Sequence, residues 1–170
     1  MLIIAEGPDG SGKSTLIKKL ANTFNLPVYH SGGPKTTKRM YEVLAELKTM
    51  AYADQTYLVD RVPFISELVY SAALNREPVI EIDELSTYFK LPMKIIYCKI
   101  DQQTALANMS REFKAHKPEE HLKMVEANHA NIAMEYTLLM DVLQDIGLDI
   151  FDYDWTLDSN LDNLLPWIKE

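Results

Sequence analysis

Apolar residues follow two alternating rhythms along the chain. Short, mostly apolar runs at Leu2–Ala5, Pro27–His30, Thr56–Val59, Met93–Ile100 and Leu148–Phe151 read as strands buried on both faces. Between them, apolar residues recur every third or fourth position, as on one face of a helix. Ser14–Phe24 carries Leu16, Leu20 and Phe24 in this way, and Lys38–Ala51 carries Met40, Val43, Leu44 and Leu47. Phe64–Asn75 repeats the pattern with Ile65, Leu68, Val69 and Ala72. A shorter helix is expected over Ile82–Phe89, and another, capped by Asp101, to about Met109. Pro118 opens a long helix to about Leu143, with Leu122, Val125, Ile132, Tyr136, Leu139 and Leu143 on its apolar face. Leu161–Ile168 closes the series, weakened in its second half by Pro166. The alternation predicts a three-layer α/β fold with a five-stranded parallel sheet. No repeat, low-complexity segment or long linker interrupts it, so residues 1–170 are expected to form a single domain.

Charge narrows the range of partners. The net charge of −8 argues against a nucleic-acid binder, which needs a basic face, yet permits a small anionic ligand held by a few local cations. The single cysteine, Cys98, lies in an apolar run and reads as a buried small hydrophobe. No signal-peptide layout and no membrane-length apolar stretch is present, so a cytoplasmic location without membrane contact is expected.

The chemistry begins after the first strand. Gly7-Pro8-Asp9-Gly10-Ser11-Gly12-Lys13-Ser14 has the Walker A spacing between a strand and a helix. Its glycines let backbone N–H groups wrap phosphate oxygens, and the helix start through Thr15 adds further N–H groups and the positive dipole end. Lys13 is expected to bridge the outer phosphates of ATP, and the Ser14 hydroxyl to ligate Mg²⁺. The expected fold is therefore that of the P-loop NTPases. The loop alone does not separate switches, motors, transporters and kinases.

Asp60 ends the third strand, where an acidic residue commonly faces the Mg²⁺ site, and Arg61 beside it suits a phosphate. Ser66 and Tyr70 share the next helix face and are candidates for an acceptor pocket. Arg111, Lys114, His116 and Lys117 form a basic stretch between two helices, a candidate mobile lid at about 110–118. Lys35, Lys38 and Arg39 are candidates for an acceptor phosphate. Tyr29, Tyr41, Tyr52 and Tyr57 offer aromatic faces for a base, with buried core the role expected of most of them. His121 and His129 stand on the long helix at no metal-ligand spacing and read as structural.

These residues resemble the thymidylate kinase family of nucleoside monophosphate kinases. The likeness rests on Glu6-Gly7-Pro8-Asp9-Gly10-Ser11-Gly12-Lys13-Ser14-Thr15, Asp60-Arg61 with Ser66 and Tyr70, Asp101 with Ala105 and Arg111, and Tyr136. The resemblance implies transfer of the ATP γ-phosphoryl group to a (deoxy)nucleoside monophosphate of the dTMP type, and a homodimer is a candidate assembly. It implies that Asp9 contacts the acceptor sugar's 3′-hydroxyl, that Arg61 binds the acceptor phosphate or the transferring group, and that Arg111 closes over the phosphates. Tyr136 joins the acceptor side. The family's Arg-Glu-Pro-Gly-Gly segment is replaced here by His30-Ser31-Gly32-Gly33-Pro34. A deoxynucleoside kinase and a nucleotide-dependent switch or assembly ATPase remain alternatives. Tyr29–Lys38 lacks the carboxylate that the former usually carries after its second strand.

Overall fold

The computed structural model describes residues 1–31, 36–113, 119–157 and 159–170, without the side chains of residues 110–113, 119, 121, 122 and 159. The strands are β1 (Leu2–Glu6), β2 (Val28–His30), β3 (Tyr57–Asp60), β4 (Met93–Cys98) and β5 (Asp149–Tyr153). They form one parallel sheet in the order β2-β3-β1-β4-β5. The helices are α1 (Lys13–Phe24), α2 (Thr37–Ala51), α3 (Pro63–Ala73), α4 (Ile82–Ser86), α5 (Gln102–Phe113), α6 (Glu119–Asp145) and α7 (Ser159–Lys169).

Strand side chains alternate between two cores, because successive residues point to opposite faces. Leu2 and Ile4 of β1, with Ile95 and Tyr97 of β4, pack against α2, α3, α5 and α6. Ile3 and Ala5, with Ile96 and Cys98, pack against α1 and α7 through Leu16, Leu20, Leu164 and Ile168. All five residues of β1 are buried, as its near-continuous apolar run requires. This central strand delivers the glycine loop to the carboxyl edge of the sheet, where parallel α/β folds bind ligands.

Several expected boundaries move by one or two residues, and two differences are larger. The helix expected over Ile82–Phe89 divides into α4 and a 3₁₀ turn at Thr87–Lys90. Ser86 and Thr87 hydroxyls donate to the carbonyls of Asp83 and Glu84, both at 2.7 Å, and compete there with the helical ladder. Helix α5 continues beyond Met109 to Phe113, so Arg111 belongs to a helix. Lys114, His116 and Lys117 of the candidate lid lie outside the described residues, as do Lys35 and the Arg111 side chain. Asp101 does cap α5, accepting the Thr104 N–H at 2.9 Å. No helix among the described residues is long and apolar enough to cross a membrane.

Candidate functional site

The phosphate loop is set by glycine backbone. Gly12 caps α1 at φ 84°, in the left-handed region that favours glycine. A Cβ there would lie 2.9 Å from Trp155 Cδ1, so a side chain has no room. No side chain caps α1 and no acid stands in its first turn, which leaves its N-terminal amides to a ligand.

Lys13 is buried and folds back over the loop. Its Nζ donates to the Pro8 carbonyl at 2.6 Å and lies 3.2 Å from Ser11 Oγ. Burial, then the nearby Arg61 cation, lowers its pKa to about 8. Ser14 Oγ donates to Asp60 Oδ2 at 3.1 Å, bringing β3 to the start of α1. His30 Nδ1 lies 3.3 Å from the same carboxylate oxygen. Ser14 and Asp60 therefore supply hard oxygen donors beside the phosphate loop, a set that fits Mg²⁺ completed by nucleotide phosphates and water.

On the other side of the loop, four elements converge on Arg61. Its φ of 65° is unusual for a residue with a side chain. Nη2 donates to Asp9 Oδ1 at 2.8 Å, and Nη1 lies 3.3 Å from the hydroxyls of both Tyr70 and Tyr136. Tyr70 donates to Asp9 Oδ2 at 3.0 Å. Burial opposes the guanidinium charge, but Tyr136, Asp9, Tyr70 and Glu6 together hold its pKa well above the ordinary value. Ser66 Oγ is buried near the Tyr136 hydroxyl, without hydrogen-bond geometry to any described group.

Glu6, given no role from the sequence, anchors this network. Its fully buried carboxylate accepts the Val62 N–H at 2.6 Å and the Tyr136 hydroxyl at 3.0 Å. Burial raises its pKa, against the opposing pull of Arg61. Cys98 is buried, as expected, and burial pushes its thiol up to about 12.

A cleft of about 290 Å³ opens beside the loop, lined by Gly10, Thr15, Lys19, Asn108, Tyr153 and Trp155 among others. Trp155 and Asn108 were not singled out in the sequence. His129 is buried, in keeping with a structural role, and its Nε2 lies 3.1 Å from the Asp9 carbonyl. The tyrosines correct another expectation in part, since none of the four is fully buried, although Tyr29 and Tyr57 pack against the core. Tyr41 and Tyr52 are exposed, and Tyr29 and Tyr57 are half-buried. Tyr29 donates to Glu46 and Tyr41 to Glu84. Arg39 pairs with Glu42 and Glu46, both at 3.1 Å, on the exposed side of α2.

A family model described as "ATPase family associated with various cellular activities (AAA)" matches residues 3–126. No curated protein sequence matches the chain significantly. Among solved structures, the chain is similar to deoxyadenosine kinase from M. mycoides with products dCMP and a flexible dCDP bound. Identity is 16%, coverage 99% of this chain and 98% of that one, and the TM-score 0.64. The YorR protein from Bacillus subtilis, in complex with phosphorylated GDP, is 19% identical, with coverage of 99% and 96% and a TM-score of 0.67. Thymidylate kinase from Candida albicans is 16% identical, with coverage of 98% and 89% and a TM-score of 0.62. At these identities the likeness establishes the fold, a P-loop α/β domain with helices on both sides of a five-stranded parallel sheet.

Proposed function

The chain belongs to the ATPase family associated with various cellular activities, and we propose that it uses ATP as phosphoryl donor to a (deoxy)nucleoside monophosphate acceptor. The observation that carries this reading is Arg61, a half-buried cation held beside the phosphate loop by Asp9, Tyr70 and Tyr136. Its planar fork suits the acceptor phosphate or the transferring group. Asp9 reads the acceptor sugar's 3′-hydroxyl, with Tyr70, Tyr136, Ser66 and Lys35 on the acceptor side. The acceptor is of the dTMP type in this reading.

On the donor side, the N–H groups of Gly7–Thr15 cradle the phosphates, and Lys13 neutralises them. Trp155 offers its exposed indole face to the donor base across the cleft. Ser14 and Asp60 hold Mg²⁺, which supplies charge neutralisation to the β- and γ-phosphates when bound. Arg111 adds a further charge to the transferring group.

A monophosphate acceptor needs no strong base, because its phosphate oxygen is already nucleophilic. A nucleoside hydroxyl must lose a proton, and the fully buried Glu6 carboxylate is engaged by Tyr136 and the Val62 N–H, while Asp9 is committed to the 3′-hydroxyl in this reading. This favours the monophosphate over the nucleoside acceptor. The family match favours a second reading, ATP hydrolysis coupled to a protein partner. That reading leaves the Arg61 network without a ligand to recognise.

Asp9→Asn tests the acceptor assignment. It is expected to raise the acceptor KM about 10- to 100-fold, as for loss of a charged hydrogen bond, with the ATP KM little changed. Equal losses for both substrates would contradict the role. A pH dependence follows from Lys13. Phosphates raise its pKa from about 8, so binding takes up a proton once the free lysine has lost one. Nucleotide affinity is therefore expected to be flat below about pH 8 and to fall by up to ~10-fold per pH unit above it. Calorimetric titrations across this range check it, and a flat affinity through about pH 9.5 would refute it.

A further inference from the structure

Three consecutive carbonyls of the phosphate loop each meet a side-chain nitrogen. Lys13 Nζ donates to Pro8 O at 2.6 Å, His129 Nε2 lies 3.1 Å from Asp9 O, and Asn108 Nδ2 donates to Gly10 O at 3.0 Å. Asn108 comes from α5 and His129 from α6, so two helices grip the loop from outside. In a trans peptide the carbonyl and the following N–H point in opposite directions. A donor on the Asp9 carbonyl therefore aims the Gly10 N–H away from α6. It also fixes the backbone from which the Asp9 carboxylate reaches Arg61 and Tyr70.

His129 is 1% exposed, so this is an interior contact. Tyr136 stands seven residues, or two turns, further along α6 and hence on the same face. Its hydroxyl meets Arg61 Nη1 at 3.3 Å and Glu6 Oε2 at 3.0 Å. Helix α6 thus holds both members of the Asp9–Arg61 pair, one by its backbone and the other by its side chain.

We infer that His129 is a positioning residue for acceptor recognition, donating from Nε2–H to the Asp9 carbonyl and so setting the carboxylate that meets the acceptor sugar. The acceptor's identity rests on the proposed function, whereas the His129–Asp9 contact does not. The contact specifies a tautomer. Nε2 faces an acceptor and must carry the proton, while Nδ1 is buried with no hydrogen-bond partner among the described residues. A proton on Nδ1 would be desolvated without an acceptor.

The test has two arms. In the wild-type chain, ¹⁵N NMR of His129 is expected to show the Nε2–H tautomer, and an Nδ1–H tautomer would overturn the inference. In the second arm, His129→Gln keeps an N–H near the Nε2 position and His129→Leu removes it. His129→Leu is expected to raise the acceptor KM about 5- to 10-fold, the scale of one neutral hydrogen bond, with the ATP KM and kcat little changed. His129→Gln is expected to restore most of the acceptor KM. Equal behaviour of the two variants, or a parallel rise in both KM values, would overturn the inference. If the wild-type chain phosphorylates no acceptor, the proposed function and the acceptor role of His129 fail together, and the tautomer then decides only whether His129 holds the Asp9 carbonyl. The wild-type measurement also stands if His129→Leu does not fold.

Discussion

Lys13→Ala is expected to abolish phosphoryl transfer, lowering turnover by at least ~100-fold, without lowering the melting temperature. The two halves of this expectation come from one observation. Lys13 is buried, and burial lowers its pKa from 10.5 to about 8, so the folded chain at neutral pH carries a charge that it disfavours. That shift corresponds to about 3 kcal/mol working against the fold below pH 8, and it is relieved as pH rises through 8 toward 10.5. Alanine removes the disfavoured charge along with the pairing to Pro8 and Ser11. Turnover and calorimetric melting of the same preparation check both halves. Near-normal turnover in a folded variant would remove the loop from the chemistry.

Arg61→Ala is expected to lose both activity and stability, and this contrast with Lys13 is informative. Its removal leaves the Asp9 and Glu6 carboxylates without their shared cation. Breaking a fully buried pair typically costs about 3–5 kcal/mol, and this half-buried pair is expected to cost less than that but more than the ~1 kcal/mol of an exposed one. Turnover is expected to fall ~100-fold or more, as for loss of a group that stabilises developing charge. Arg61→Lys separates the two effects. Lysine returns a charge to the network but not the planar fork that reaches Asp9 and both tyrosines. Much of the melting temperature should return while turnover stays low. Wild-type turnover in Arg61→Lys would show that the fork has no part in transfer.

These two residues were legible in the sequence because short-range rules reach them. The glycine spacing identifies Lys13, and a strand end identifies Asp60 and Arg61. The sheet was legible too, since parallel strands buried on both faces are near-continuous apolar runs. The supporting network was not. Glu6 reaches Val62 across 56 residues and Tyr136 across 130, and His129 reaches Asp9 across 120. Helical periodicity places His129 and Tyr136 on one face of α6, but only tertiary packing points that face at the loop. A buried histidine facing a carbonyl looks, in the sequence, like any other helical histidine. Trp155 sits in a turn beyond β5, where no local pattern links it to Gly12. The tyrosines misled for the opposite reason: their apolar rings suggest burial, yet the hydroxyls of Tyr29 and Tyr41 pair with Glu46 and Glu84, and that of Tyr57 accepts from Gln55.

Supplying ATP labelled at the γ-phosphate with Mg²⁺, and offering each common nucleoside and nucleoside monophosphate in turn, tests the central claim most directly. The account predicts label in a nucleoside diphosphate, formed from a deoxynucleoside monophosphate, with little inorganic phosphate released in its absence. Label appearing as inorganic phosphate at the same rate with every acceptor, and in no diphosphate, would contradict it.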